Sequence, residues 1–92
     1  MSVPLSSVLK GLVKRYGLER ALLEQRLPSY WAQAVGDRIA QISQIRGFEN
    51  GVLRVHVSEA AWRSEVILRR NELRTQLNTL IGEPVITEIQ VR

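Results

Sequence analysis

The stretch "ISQIRGFENGVLRVHV", residues 42–57, decides the fold. From Ile42 onward apolar and polar residues alternate with a period of two, the spacing of a half-buried strand, and Asn50-Gly51 supplies two residues that tolerate positive φ. The reading is a tight hairpin, and its register has two forms. A two-residue loop sets Arg46 opposite Val55 on the core face, whereas a three-residue loop with Gly51 in a bulge sets Ile45 opposite Val55 and Arg46 opposite Arg54. The second form buries only apolar groups and is the one expected. Leu53, Val55 and Val57 then face inward, while Gln44, Arg46, Arg54 and His56 share the outer face.

Downstream, Ser58 fits a helix N-cap and Glu59 suits a first turn, so one long helix is expected over about 58–81, ended by Gly82. Its segment "AAWRSEVILRRNELRTQL", residues 60–77, has a helical period. At 100° per residue Trp62, Val66, Leu73, Leu77 and Leu80 gather within roughly 60° as a buried stripe. Arg63, Arg70 and Arg74 line one border of that stripe, and Arg69 falls on the other near Glu65, Glu72 and Gln76. After Pro84 the alternation in "VITEIQVR" predicts a final strand over about 85–92. Val85, Thr87, Ile89 and Val91 take one face; Ile86, Glu88, Gln90 and Arg92 take the other.

Upstream, "PLSSVLKGLVKRYG" spaces Leu5, Val8, Leu9, Leu12 and Val13 as a helix that Gly17 is suited to stop. "LERALLEQRLPSYWAQAVGDRIAQ" continues the helical period, but Pro28 is expected to break or kink it near Leu27. The expectation is a short helix, a bend, and a second helix carrying Trp31 that runs through or stops near Gly36. The sum is a single α+β domain over 1–92, in the order α-α-β-β-α-β, with the N-terminal helical part over about 5–40 and the helices packed on one face of a three-stranded sheet. The last strand lies parallel to the second, or antiparallel beside the first if the connection skips over.

Ninety-two residues allow one small core. Basic residues number 13 against 9 acidic ones, a formal charge of +4, and all but Lys10 and Lys14 of the basic set are arginine. The arginine fork binds phosphate or carboxylate bidentately, so the composition favours a polyanion or an acidic protein surface as partner. Cysteine is absent, which excludes disulfides, thiol nucleophiles and cysteine-ligated zinc. No apolar run approaches the roughly 18 residues of a membrane span, and the N-terminus lacks the pattern of a secretory signal. A soluble cytoplasmic protein with no membrane contact is expected.

Catalysis is not expected. His56 is the one histidine, in a strand beside Arg54 with no carboxylate at a recognisable spacing; it reads as an exposed strand residue, with a phosphate contact as the alternative. No serine sits in a nucleophile elbow, and the glycines form neither a phosphate-binding fingerprint nor G-x-x-G, so no cofactor or small-molecule substrate is implied. Trp31 and Trp62 could stack on bases, yet both lie on apolar helical stripes and read as core. The basic groups carry more. Arg46 and Arg54 directly opposite each other would repel by a few tenths of a kcal/mol or so, which a bound anion would relieve. With Arg63, Arg70 and Arg74 of the long helix, and Lys10, Lys14 and Arg15 of the first, they are the candidate DNA-binding residues; dispersed solubilising charge is the alternative.

The order "WAQAVGDRIAQIS", "NGVLRVHV", "SEAAWRSEVILRRNELRTQLNTLIG", "VITEIQVR" resembles the DciA family over about residues 24–92. The resemblance rests on Trp31 with Val35-Gly36, the glycine hairpin before Leu53 and Val55, Trp62 near the start of the long helix, and Leu77-Asn78 with Gly82 ahead of the final strand. It implies a KH-like domain acting in bacterial chromosome replication, which binds DNA, single-stranded or forked, and assists loading of the replicative helicase DnaB without an ATPase module. Relatives of this kind often carry a flexible tail that can contact the helicase. This sequence ends at Val91-Arg92, so the helicase contact is expected on the domain itself unless the chain is short. A KH-like RNA binder or a protein-interaction module without helicase function is the competing reading.

Overall fold

The computed structural model describes residues 18–92. The expected first helix, with Lys10, Lys14 and Arg15, lies outside them. Helix α1 covers Leu18–Val35 and α2 covers Asp37–Gln41; strands β1 and β2 cover Ser43–Glu49 and Val52–Val57; helices α3 and α4 cover Ala60–Leu68 and Arg70–Ile81; β3 covers Glu88–Val91. The sheet order is β1-β2-β3, with β1 antiparallel and β3 parallel to β2. The fold is α+β, with the helices packed against the sheet, and of the two placements left open for the last strand the parallel one is realised.

Of the break or kink expected at Pro28, the break does not occur: helix α1 runs through it. Proline has no N–H to give the Glu24 carbonyl, a loss of about 3 kcal/mol in a helix interior. Burial on both sides offsets it. Leu27, Trp31 and Val35 recur every four residues and enter the core, each large apolar side chain contributing about 1.5–3 kcal/mol. Pro28 itself is exposed, so the orphaned carbonyl is within reach of water. The helix does stop where glycine permits: Gly36 takes φ 88°, and α2 then carries Ile39 into the same core. The Trp31 indole N–H donates to Ser43 Oγ at 2.8 Å, and the Ser43 hydroxyl donates to the Ile39 carbonyl at 2.6 Å, so Trp31 is a satisfied core residue.

The long helix is two helices. Its chain turns at Arg69, whose N–H is shared between the Glu65 and Val66 carbonyls at 3.1 and 3.2 Å. Nothing in the residue types around 69 announces this. Across the break Val66, Leu73 and Leu77 remain fully buried, while Leu68 is 82% exposed and Leu80, expected in the stripe, is 38% exposed; Ile81 packs on the core instead. Ser58 is not the cap. Glu59 occupies that position without a side-chain bond, and the Ser58 hydroxyl and N–H both donate to the Ile42 carbonyl, closing the base of the hairpin.

Gly82 ends α4 in the left-handed region, as expected. The alternation in the last segment begins only at Glu88. Ile86 is buried and Thr87 exposed, the reverse of the expected parity, because Asn78 of α4 grips the Ile86 backbone from both sides: its Nδ2 donates to the carbonyl and its Oδ1 accepts the N–H, each at 2.9 Å. From there Ile89 and Val91 turn to the core and Glu88, Gln90 and Arg92 to the other face. The interior is wholly apolar among the described residues, with Leu53, Val55 and Val57 at its centre.

Candidate nucleic-acid interface

The hairpin combines parts of both expected registers. At the turn the pairing is Glu49↔Val52, a two-residue loop with Asn50 at φ 52° and Gly51 at φ 80°, the geometry of a type I′ turn. That register would drive Arg46 into the core. A bulge intervenes between Ile45 and Gly47, so the lower half pairs Ile45↔Val55, Gln44↔His56 and Ser43↔Val57. One extra residue, Arg46, is absorbed where apolar burial demands a change of register, and both halves then bury only apolar side chains. The direct partner of Arg54 is consequently Gly47 and not Arg46. The anticipated Arg46–Arg54 pair repulsion, and the anion argued from it, therefore do not hold in that form.

What the bulge leaves is an ordered outer face. Cross-strand rows follow from the pairing. The first is Glu49, Val52 and Glu88; the second is Arg46 and Gly47 against Arg54, then Gln90; the third is Gln44 and His56, with Arg92 beside them. The third row is fixed by backbone bonds, since Arg92 N–H donates to the Val55 carbonyl and the Val57 N–H to the Arg92 carbonyl, both at 2.9 Å. Positive charge is thus confined to the second and third rows, and negative charge to the turn end. The rows are about 7 Å apart, inside a Debye length of about 8 Å, so the glutamates bias an anion away from the turn.

Arg46, Arg54, His56, Gln90 and Arg92 line a common pocket of about 240 Å³. Arg46, Arg54 and Arg92 are exposed and His56 and Gln90 half-buried. Among the described residues the ion pairs are Arg20–Glu24, Arg38–Glu59 and Arg69–Glu72, which leaves these three guanidiniums without a carboxylate partner. All three side chains are exposed, and a phosphate oxygen could accept two of their donors at once.

The remaining candidates among the described residues are elsewhere. Arg63 is half-buried and donates through Nε and Nη2 to the Val57 carbonyl, at 3.1 and 2.9 Å, so it fastens α3 to the end of β2. Arg74 lies in a separate shallow cleft with Thr75, Asn78, Thr79, Gly82, Glu83 and Pro84, and Arg70 is exposed at the start of α4. The continuous helix on which Arg63, Arg70 and Arg74 were expected to share a border is interrupted at Arg69, and Arg63 is engaged by the Val57 carbonyl. Arg92 and Gln90 were missed as candidates. Their signal was present in the alternation of the last strand, which puts them on its polar face, but only the parallel pairing with β2 carries that face to Arg54 and His56.

A second groove among the described residues, about 770 Å³, is lined by the apolar Leu22, Leu23, Tyr30, Phe48, Ile81 and Val85 together with Glu19, Arg20, Arg26 and Glu83. Among the described residues no group of three or more His, Cys, Asp or Glu is placed to hold a metal ion. No helix among them is long and apolar enough to cross a membrane.

A small α+β domain whose helices cover one sheet face, and whose other face gathers arginines without carboxylate partners among the described residues, is the class of protein this geometry defines. The chain belongs to the DciA family: the model described as "Dna[CI] antecedent, DciA" matches residues 4–91. It is 30% identical over 88 residues to a UPF0232 protein of Mycobacterium leprae (strain Br4923), covering 96% of this chain and 47% of that protein. UPF0232 proteins of Mycobacterium ulcerans (strain Agy99) and Rhodococcus jostii (strain RHA1) are 25% and 20% identical, with the same coverage of 96% and 47%. The chain thus spans about half the length of these relatives. Membership supports a role related to DNA replication.

Proposed function

We propose that this domain is a DNA-binding accessory of the replicative helicase DnaB, acting in the cytoplasm at the nucleoid, and that Arg46, Arg54 and Arg92 with His56 and Gln90 form its DNA contact. The single observation that carries the reading is the convergence of three arginines, free of carboxylate partners among the described residues, in one pocket on the sheet face opposite the core. A negatively charged strand lying across β2 and β3 would meet guanidinium donors from both, and the neighbouring Gln90 and His56 add polar groups that can reach sugar or base. A single strand suits the site, because its phosphates can adapt to arginines set on adjacent strands about 4.8 Å apart. Arg70 and Arg74 form a secondary contact at most, and Arg63 is given a structural role.

Binding of labelled single-stranded DNA, forked DNA and matched RNA across a salt series tests the nucleic-acid half. Steep weakening with salt and no preference for the 2′-hydroxyl are expected; a strong RNA preference would favour an RNA-binding domain instead. Co-purification with the host's replicative helicase tests the other half. A stable helicase complex with no retention of DNA near physiological salt would leave a protein-interaction module whose arginines meet acidic partner groups.

A further inference from the structure

We infer that Gly47 is a positioning residue for the polyanion site: its missing side chain is the floor on which the Arg54 guanidinium lies. This rests on the reading of the outer face given above. Gly47 is the direct cross-strand partner of Arg54. A Cβ built there would collide with Arg54 Nη2 and stand 3.2 Å from Cζ and 3.4 Å from Nε. The fork, Nη2 foremost, therefore occupies the space a side chain at Gly47 would take. No hydrogen bond or ion pair holds it there among the described residues, so steric room is what sets its place.

The turn and the bulge together make this arrangement possible. The two-residue turn sets Gly47 opposite Arg54, and the bulge beneath it keeps Arg46 out of the core and beside Gly47, so that Arg46 and Gly47 together oppose one residue. In the register of a three-residue loop Arg46 would stand there, and its stem would fill the space the Arg54 fork now occupies. Glycine next to the bulge thus lets Arg54 lie across the sheet toward β1, so that two guanidiniums from neighbouring strands line one pocket instead of splaying apart. Two planar forks held near each other without a carboxylate between them are preorganised for one phosphate group.

The backbone at Gly47 does not require glycine. Its φ lies outside the left-handed region that Gly36, Gly51 and Gly82 occupy. Alanine is accordingly accepted by the main chain, and what must move is the far end of a flexible arginine. This separates positioning from folding.

The test is Gly47→Ala, alone and combined with Arg54→Ala, read by thermal unfolding and by the salt dependence of oligothymidine binding. Expected are a melting midpoint equal to or above wild type, since alanine restricts the unfolded chain, and a loss of about 0.7 from the slope of log affinity against log salt, the value for one single-strand phosphate contact. The double variant should bind as Arg54→Ala does, because the two changes remove the same contact. Wild-type slope and affinity in Gly47→Ala, with Arg54→Ala impaired, would overturn the inference and leave the interface standing. So would additive losses in the double variant. If Arg54→Ala itself binds as wild type, the interface reading fails and this one with it.

Discussion

Replacing Arg46, Arg54 and Arg92 together with alanine should flatten the salt dependence of DNA binding by a calculable amount. Each arginine that neutralises a phosphate on a single strand contributes about 0.7 to the slope, so three removed contacts lower it by about 2. Between roughly 50 and 200 mM salt, a fourfold rise, that difference corresponds to about 20-fold: wild type should lose about 20 times more affinity over this range than the triple variant. Anisotropy of a short labelled oligothymidine, which forms no secondary structure, measures both curves directly. Stability should barely change, by about 0.5 kcal/mol or less per site, because all three side chains are exposed and take part in no ion pair among the described residues. Thermal unfolding on the same samples provides the control. An unchanged slope in a fully folded triple variant would refute the assignment of this face, wherever else DNA is then found to bind.

Arg63→Ala should instead destabilise the fold by about 1.5–3 kcal/mol, since two donors to the Val57 carbonyl are lost, while the salt slope of DNA binding stays at its wild-type value; urea unfolding and anisotropy separate the two. Asn78→Ala strips the Ile86 backbone of both partners beside a buried side chain and should cost about 2–4 kcal/mol, with faster hydrogen exchange at Ile86 as its local signature. Leu73→Ala opens a cavity at a fully buried position and should cost about 2–5 kcal/mol by denaturant titration.

The residues that specified themselves did so through local chemistry. Asn50-Gly51 dictates a turn because both accept positive φ, and Gly82 ends α4 for the same reason. The inward set of Leu53, Val55 and Val57 follows from a period of two, which no tertiary contact alters. Readings failed where two local preferences competed. Pro28 disfavours helix and loses to the burial of Leu27 and Trp31; a two-residue turn and an apolar core demand different registers, and a bulge at Arg46 satisfies both. A period alone cannot show which preference yields.

By itself, then, the order of residues determined the kinds of element, the apolar faces and the arginine-rich charge, since these depend on neighbours a few positions apart. The family, too, was legible in the spacing of Trp31, the hairpin, Trp62 and Gly82. Only the tertiary structure decided which arginines meet. Arg46 and Arg54 come from β1 and β2 and Arg92 from the residue just past β3, and the parallel placement of β3 beside β2 is what brings Arg92 to the pocket. The same packing turned the chain at Arg69, bent Arg63 onto the Val57 carbonyl and so divided a row of arginines that looked continuous. Charge can be counted along a chain; convergence of charge is a property of chain segments far apart in sequence, and burial of the core, not the charge itself, sets it.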